Sequence, residues 1–266
     1  MLVGCCSKGI DLAPQHGNNI ACVVFFVDMM ACVVSLLATN QNIIGKVLLL
    51  LMVFIAFHFH MLYTVLYNSE NKLKWAEYSV SATLGSLAVL SKGNWEAGNG
   101  TVVVGIVALG ACTQICGFII EHIVRKEKAK EIRFFAFVIG CSLFGAELYL
   151  SIGNGAGFHG ANAAVTSTYL TLYACFPIIC LQYQRSNDKC SKPCDMDYIY
   201  HFASMLSKTG LVITFLLMEV LPDMRLLAIS VPYVILSVVA LLAMLLKYSQ
   251  DLDKDKLCSD ASQYGI

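Results

Sequence analysis

Charge is scarce in this chain. Asp, Glu, Lys and Arg make up 14% of its 266 residues, against about 25% in ordinary soluble domains. Proline is sparse as well, with five in the whole chain, so little interrupts a long helix. Eighteen basic residues balance eighteen acidic ones, and no basic stretch interleaved with aromatics stands out, so nothing points to nucleic acid. A phosphate-cradling glycine loop, a metalloprotease helix motif and a nucleophile elbow are all missing from the sequence, which removes the usual enzyme signatures. The glycine-rich GNGAGFHGAN at 153–162 lacks the strand-to-helix context of a phosphate loop and reads as a connection. No cleavable signal peptide is expected: the first 19 residues are too polar, and the first apolar run has neither a basic lead-in nor a small-residue cleavage site.

Hydrophobic residues, at 58% of the chain, fill the space that charge leaves. They fall into eight runs, at 20–38, 46–67, 75–91, 101–124, 133–152, 164–183, 198–220 and 226–247. About 20 residues at about 1.5 Å each match a hydrocarbon core about 30 Å thick. The runs show no period-2 alternation, which argues for helices rather than a closed barrel. The expected fold is therefore all-α: a polytopic transmembrane bundle in a lipid bilayer, with short links making neighbours antiparallel. A polar segment at 1–19 precedes the first seven helices at 20–220; an eighth span at 221–247 and a polar tail at 248–266 follow.

The basic residues set an expected orientation. Fourteen of the 18 fall on the side of the N-terminus, three (Lys46, Lys92 and Arg225) fall on the other, and Lys208 lies within a span. Positive charge stays in the cytoplasm, so the N-terminus and, with eight spans, the C-terminus are both placed inside.

Lys208 is the anomaly. It stands in the middle of DYIYHFASMLSKTGLVITFLLMEV, where an unpaired ammonium costs about 2.5–3.5 kcal/mol even on lenient insertion scales. It needs a carboxylate, a wet cavity or a covalent role. Glu77, in KLKWAEYSVSATLGSLAVL, is the matching acid. Both residues lie on spans that start on the cytoplasmic side, and a helical side chain leans toward its own N-terminus, so the two can meet. Two readings fit these residues alone: a structural ion pair, or a Schiff-base lysine with its counterion. His58 and His60, two positions apart, point to nearly opposite helix faces and cannot share a metal as an i, i+4 pair would. No metal site is expected.

Five motifs carry a family resemblance. KWAEYSVSA, with Asn71 before it, resembles the counterion helix of the heliorhodopsins, and Tyr200, Ser204 and Lys208 repeat the spacing of that family's Tyr, Ser and retinal lysine. FHMLY at 59–63, GFIIE at 117–121 and LQY at 181–183 resemble its second, fourth and sixth helices, in the same order. The resemblance implies a light sensor in which Lys208 carries all-trans retinal as a protonated Schiff base and Glu77 is the counterion. It further implies that Ser204 and Ser81 lie near the imine, and that Trp75, Tyr78, Tyr173, Phe176 and Pro177 line the polyene. His60 then belongs to a polar cluster that receives or steadies the imine proton. A homodimer and an unidentified signalling partner go with that picture, and so does the inward N-terminus already read from charge.

The chain departs from the family in three places. Phe26 and Asp28 stand where a first-helix histidine is usual, Glu147 in GCSLFGAELYL replaces a Pro-Trp pair, and the eighth run is extra. Intramembrane acids are functional candidates by default. Asp28, Glu147 and Glu121, with His60, are therefore candidates for an ion route, Glu147 on the outer side of the imine and Glu77 on the inner. They keep open a light-gated proton or cation channel; a membrane protein without a chromophore, with a structural Lys–Glu pair, is the third reading. Of twelve cysteines, Cys22, Cys32, Cys112, Cys116, Cys141, Cys175 and Cys180 fall in spans as small hydrophobes. Cys190 and Cys194 make a weak zinc pair, and Cys5 and Cys6 a palmitoylation candidate.

Overall fold

A computed structural model of the chain describes residues 14–65, 73–93, 100–123, 130–187 apart from 156, 159 and 161, 196–221 and 223–263. Asn71, Cys5, Cys6, Cys190, Cys194 and the side chain of Tyr183 lie outside what is described. Among the described residues there are eight helices and no strand, as expected. They are α1 (Pro14–Ala38), α2 (Ile43–Val65), α3 (Leu73–Leu90), α4 (Gly100–Phe118, continued by a π turn over Ile119–Ile123), α5 (Lys130–Asn154), α6 (Asn162–Asn187), α7 (Met196–Leu217) and α8 (Asp223–Gln263).

Seven of the eight are long and apolar enough to cross a membrane, and α3 is the one that falls short. Its neighbours explain why. α3 packs against α2, α4 and α5 and buries Lys74, Glu77, Ser81, Thr83 and Ser86. A helix wrapped by protein can keep polar side chains because they find partners there, whereas a helix facing lipid cannot. α4 and α8 behave oppositely, exposing Val104, Val107 and Ile115 on one, and Ile235, Leu236 and Val239 on the other.

α1 packs on α2 and α7, α4 on α5, and α6 on α7, while α8 lies across α6 and α7. The α7–α8 seam is close because residue 210 is glycine: a Cβ there would sit 2.6 Å from the Tyr233 ring. The Tyr233 hydroxyl donates to the Leu206 carbonyl at 2.8 Å. The main apolar core, with Phe25, Met52, Val53, Ala88, Leu211 and Phe215, lies among α1, α2, α3 and α7.

Several helix ends differ from the sequence expectation. α2 begins at Ile43, three residues early, because Asn42 takes a left-handed φ of 43°, which asparagine tolerates. Its Oδ1 accepts from the Gly45 backbone at 3.1 Å, a capping bond. α8 does not stop where the apolar run stops at 247 but continues to Gln263. The segment YSQDLDKDKLCSDASQ has no glycine or proline to end a helix and mixes charges of both signs.

Candidate functional site: a buried amine on an apolar cavity

Lys208 and Glu77 do meet. The Lys208 ammonium of α7 pairs with Glu77 Oε1 of α3, and both residues are buried, at 2% and 0% exposure. Lys208 Nζ also donates to Ser204 Oγ, one helical turn back, at 2.7 Å. Glu77 accepts two further hydrogen bonds, from Ser81 Oγ at 3.3 Å and from the Tyr63 hydroxyl at 3.4 Å. Tyr78 and Phe25 turn their rings toward the ammonium, with centroids 5.4 and 5.6 Å away.

On its open side Lys208 faces a cavity between α3, α4, α5, α6 and α7, of about 830 Å³ when the open space at its mouth is counted. Trp75, Tyr78, Tyr173, Phe176 and Pro177, expected on its wall from sequence, are all there, as are Ser81 and Ser204. Gly117 makes room for Trp75, whose ring occupies the space a side chain at 117 would need. Pro177 has no N–H to give the Tyr173 carbonyl, so the α6 wall carries a break in its helical ladder.

His58 and His60 part as their spacing requires: His60 is buried and His58 exposed. His60 does not hydrogen-bond Glu77. Its Nδ1 pairs with Asn18 Oδ1 at 3.1 Å, and its ring lies 5.3 Å from Tyr63 and 4.9 Å from His201. The link from His60 to Glu77 thus passes by Tyr63. Asn18, Tyr63 and His201 were not singled out in the sequence, although the last two sit inside the quoted FHMLY and YHFAS stretches; helical register alone does not say which helix faces which.

The remaining acids separate. Glu147 is on the cavity wall and accepts from Ser86 Oγ at 2.5 Å. Asp28 is off the cavity wall, accepting from Thr209 Oγ1 at 2.6 Å. Glu121 is tied down instead: Lys74 Nζ and Trp75 Nε1 donate to its two oxygens at 2.7 and 2.6 Å. The π turn that ends α4 carries Glu121. Two lysines counted as boundary charges are in fact buried, Lys74 beside Glu121 and Lys46 beside Glu219. Among the described residues no cluster of three or more His, Cys, Asp or Glu side chains could hold a metal.

An amine that opens on an apolar cavity, with one carboxylate beside it, can condense with an aldehyde and keep the resulting imine charged. Comparisons with known proteins bear on that chemistry. The family model described as Heliorhodopsin matches residues 23–212. In fold, the chain is similar to the crystal structure of Exiguobacterium sibiricum rhodopsin, at 13% identity and a TM-score of 0.65, over 78% of this chain and 96% of that one. Cyanorhodopsin from Tolypothrix sp. is similar at 15% identity and a TM-score of 0.59, over 78% and 95%. Acetabularia rhodopsin I is similar at 16% identity and a TM-score of 0.58, over 76% and 93%. No curated protein matches the chain in sequence.

Proposed function

The chain belongs to the heliorhodopsin family, and from that membership we propose a light sensor in which Lys208 carries retinal as a protonated Schiff base with Glu77 as its counterion. The family makes it an integral membrane protein and a retinal-binding photoreceptor in kind. One observation supports the finer assignment most: Lys208 is the cavity-lining amine, and Glu77 is the carboxylate paired with it.

The residues present fit the chromophore. The cavity wall carries the aromatic rings of Trp75, Tyr78, Phe144, Tyr173 and Phe176, which suit an apolar polyene. When bound, retinal supplies the absorption of visible light and the change of shape that follows. The protein supplies the rest. Attachment leaves the lysine nitrogen a single N–H, for which Glu77 and Ser204 are the acceptors already in place. A carboxylate this near favours the charged form of the imine, and its position sets the absorbed colour. Ser81 and Tyr63, by donating to Glu77, hold its carboxylate in place and spread its charge. His60, Asn18 and His201 stand behind Tyr63 as the polar group that steadies a displaced proton.

We place both termini in the cytoplasm, from the 14-to-3 bias of basic residues. The protein acts as a homodimer whose change of shape a partner reads. α8 is suited to carry that change. Tyr233 bonds α7 at Leu206, two residues from Lys208, and the same helix runs on to Gln263.

The test is expression with all-trans retinal. The wild type should gain a visible band, and borohydride reduction followed by peptide mapping should find the adduct on Lys208. Lys208→Ala should insert but stay colourless. A coloured Lys208→Ala protein that hydroxylamine still bleaches overturns the assignment.

A further inference from the structure

The cavity has a second acid that a sensor does not need. Glu147 of α5 is 3% exposed and lines the same cavity as Lys208. The groups facing it are Ser86 of α3, which donates to its Oε1 at 2.5 Å, Tyr169 and Tyr173 of α6, and Gly110 of α4, where a Cβ would stand 3.3 Å from the same oxygen. Ser86 Oγ is also hydrogen-bonded to the Tyr169 hydroxyl. Ser151, one turn beyond Glu147 on α5, donates to the Glu147 carbonyl at 2.8 Å.

These hydroxyls form a chain that can run in either direction. With Glu147 ionised, Tyr169 donates to Ser86 and Ser86 to the carboxylate. With Glu147 protonated, the acid donates to Ser86 and Ser86 to Tyr169. Switching between the two orders moves one proton along the chain without moving a heavy atom. The chain leads toward the end of the bundle where α5 stops at Asn154 and α6 starts at Asn162. In the other direction, one helical turn from Tyr169 toward Lys208, stands Tyr173. It lines the cavity and is 4% exposed, and its hydroxyl has no hydrogen-bond partner. A buried hydroxyl without a partner is costly, and this one stands between the Lys208–Glu77 pair and the Glu147 chain.

We propose that Glu147, Ser86 and Tyr169 are a proton-exchanging station, and that through it the protein conducts protons when illuminated. A proton arriving from the Lys208–Glu77 side, past Tyr173, protonates Glu147. One proton then leaves through Ser86 and Tyr169 to the far side, and Glu147 returns to its starting state. The proposal rests on retinal at Lys208, but the station itself exists without the chromophore.

The experiment therefore has two arms. In the protein prepared without retinal, infrared spectra recorded across a pH series in H2O and D2O should show a titrating, deuterium-sensitive carboxyl band that Glu147→Gln removes. Tyr169→Phe should shift that band while Glu147 remains. In illuminated cells, the wild type should give a photocurrent whose reversal voltage follows the proton gradient. Glu147→Gln should still form a pigment on Lys208 and lose most of that current. A retinal-free spectrum that Glu147→Gln leaves unchanged overturns the station, as does a pigmented wild type without photocurrent or a Glu147→Gln variant that conducts normally. Absence of pigment in the wild type sinks the Lys208 assignment instead, and light-driven conduction with it.

Discussion

Lys208–Glu77 and Lys46–Glu219 are chemically the same ion pair, and both are buried, yet the two lysines are surrounded differently. Lys46 Nζ pairs with Glu219 Oε2 at 2.7 Å and also donates to the Ser35 and Thr39 carbonyls, each at 3.2 Å, and to the Thr39 hydroxyl. Four oxygens thus surround three ammonium hydrogens. Two of them are carbonyls at the end of α1, where the helix dipole welcomes a cation; that of Ser35 also accepts from the Thr39 N–H at 3.1 Å. Lys208 has two acceptors, Glu77 and Ser204, and a cavity on its remaining side. A saturated buried lysine is a clasp between helices; one left short of acceptors beside an empty space is free to react. Lys74–Glu121 belongs with the clasps. Its carboxylate also takes the Trp75 N–H, and its ammonium lies 4.8 Å from the Tyr200 ring centroid.

The hardest test of this contrast is to break the clasp. Lys46→Met leaves the Glu219 carboxylate buried without its cation, and removing one partner of a buried pair costs about 3–5 kcal/mol. The variant should lose that much stability in denaturant or heat. Any protein that folds should still bind retinal with the wild-type spectrum. The double variant Lys46→Met/Glu219→Leu should recover much of the loss, since a well-packed apolar pair replaces a buried ion pair at little cost. A shifted absorption band in either variant would mean that the two pairs are not separate.

Glu77→Gln is the milder counterpart at Lys208. It keeps the shape and removes the charge. The visible band should move to the red while the imine stays protonated, and alkaline loss of the band should begin at lower pH than in the wild type. Tyr63 and Ser81 can still donate to the amide oxygen of this variant, so the protein should fold. An unchanged spectrum together with an unchanged alkaline titration would remove Glu77 as the principal counterion.

What could be read from the sequence follows from where each residue stands. Lys208 betrays itself because it lies in mid-run, where charge has no excuse, and Glu77 because it is the acid at reachable depth. Lys46 and Lys74 do not, because they stand at the starts of apolar runs, where a lysine is ordinary. Their partners Glu219 and Glu121 lie at the ends of other helices, so the pairs exist only once those helix ends are brought together. Eight helices were legible from hydropathy. That α3 falls short of the other seven as an apolar span, and that it is packed among α2, α4 and α5, is not read from the eight runs. Glu147 was visible as an acid out of place; Ser86 and Tyr169, ordinary residues on two other helices, gave no signal that they would meet it. The extension of α8 was missed because the end of an apolar run marks where the lipid-matched segment stops, which is not where a helix must stop.

The smallest effect is expected from Lys92, which sharpens the contrast from the clasp end. It lies just past α3, with its ammonium 3.5 Å from the centroid of the Phe215 ring. Burial pushes its pKa down to about 8, and the nearby Lys46 charge adds to that while the Glu219 carboxylate opposes it. Between about 8 and the ordinary 10.5, the unfolded chain therefore binds a proton at this site that the folded chain does not. Stability rises with pH wherever the unfolded state binds more protons, so this site's contribution should improve as pH climbs through that window, because the cost of burying the ammonium is relieved. Lys92→Met removes the cost at every pH. The variant should be the more stable of the two at pH 7, and its lead over the wild type in unfolding temperature should narrow from about pH 8 toward 10.5. A lead that stays constant across the window would mean that the ammonium is as comfortable in the fold as in water, and that Lys92 belongs to the clasp as a third member rather than paying for its neighbours' pairing.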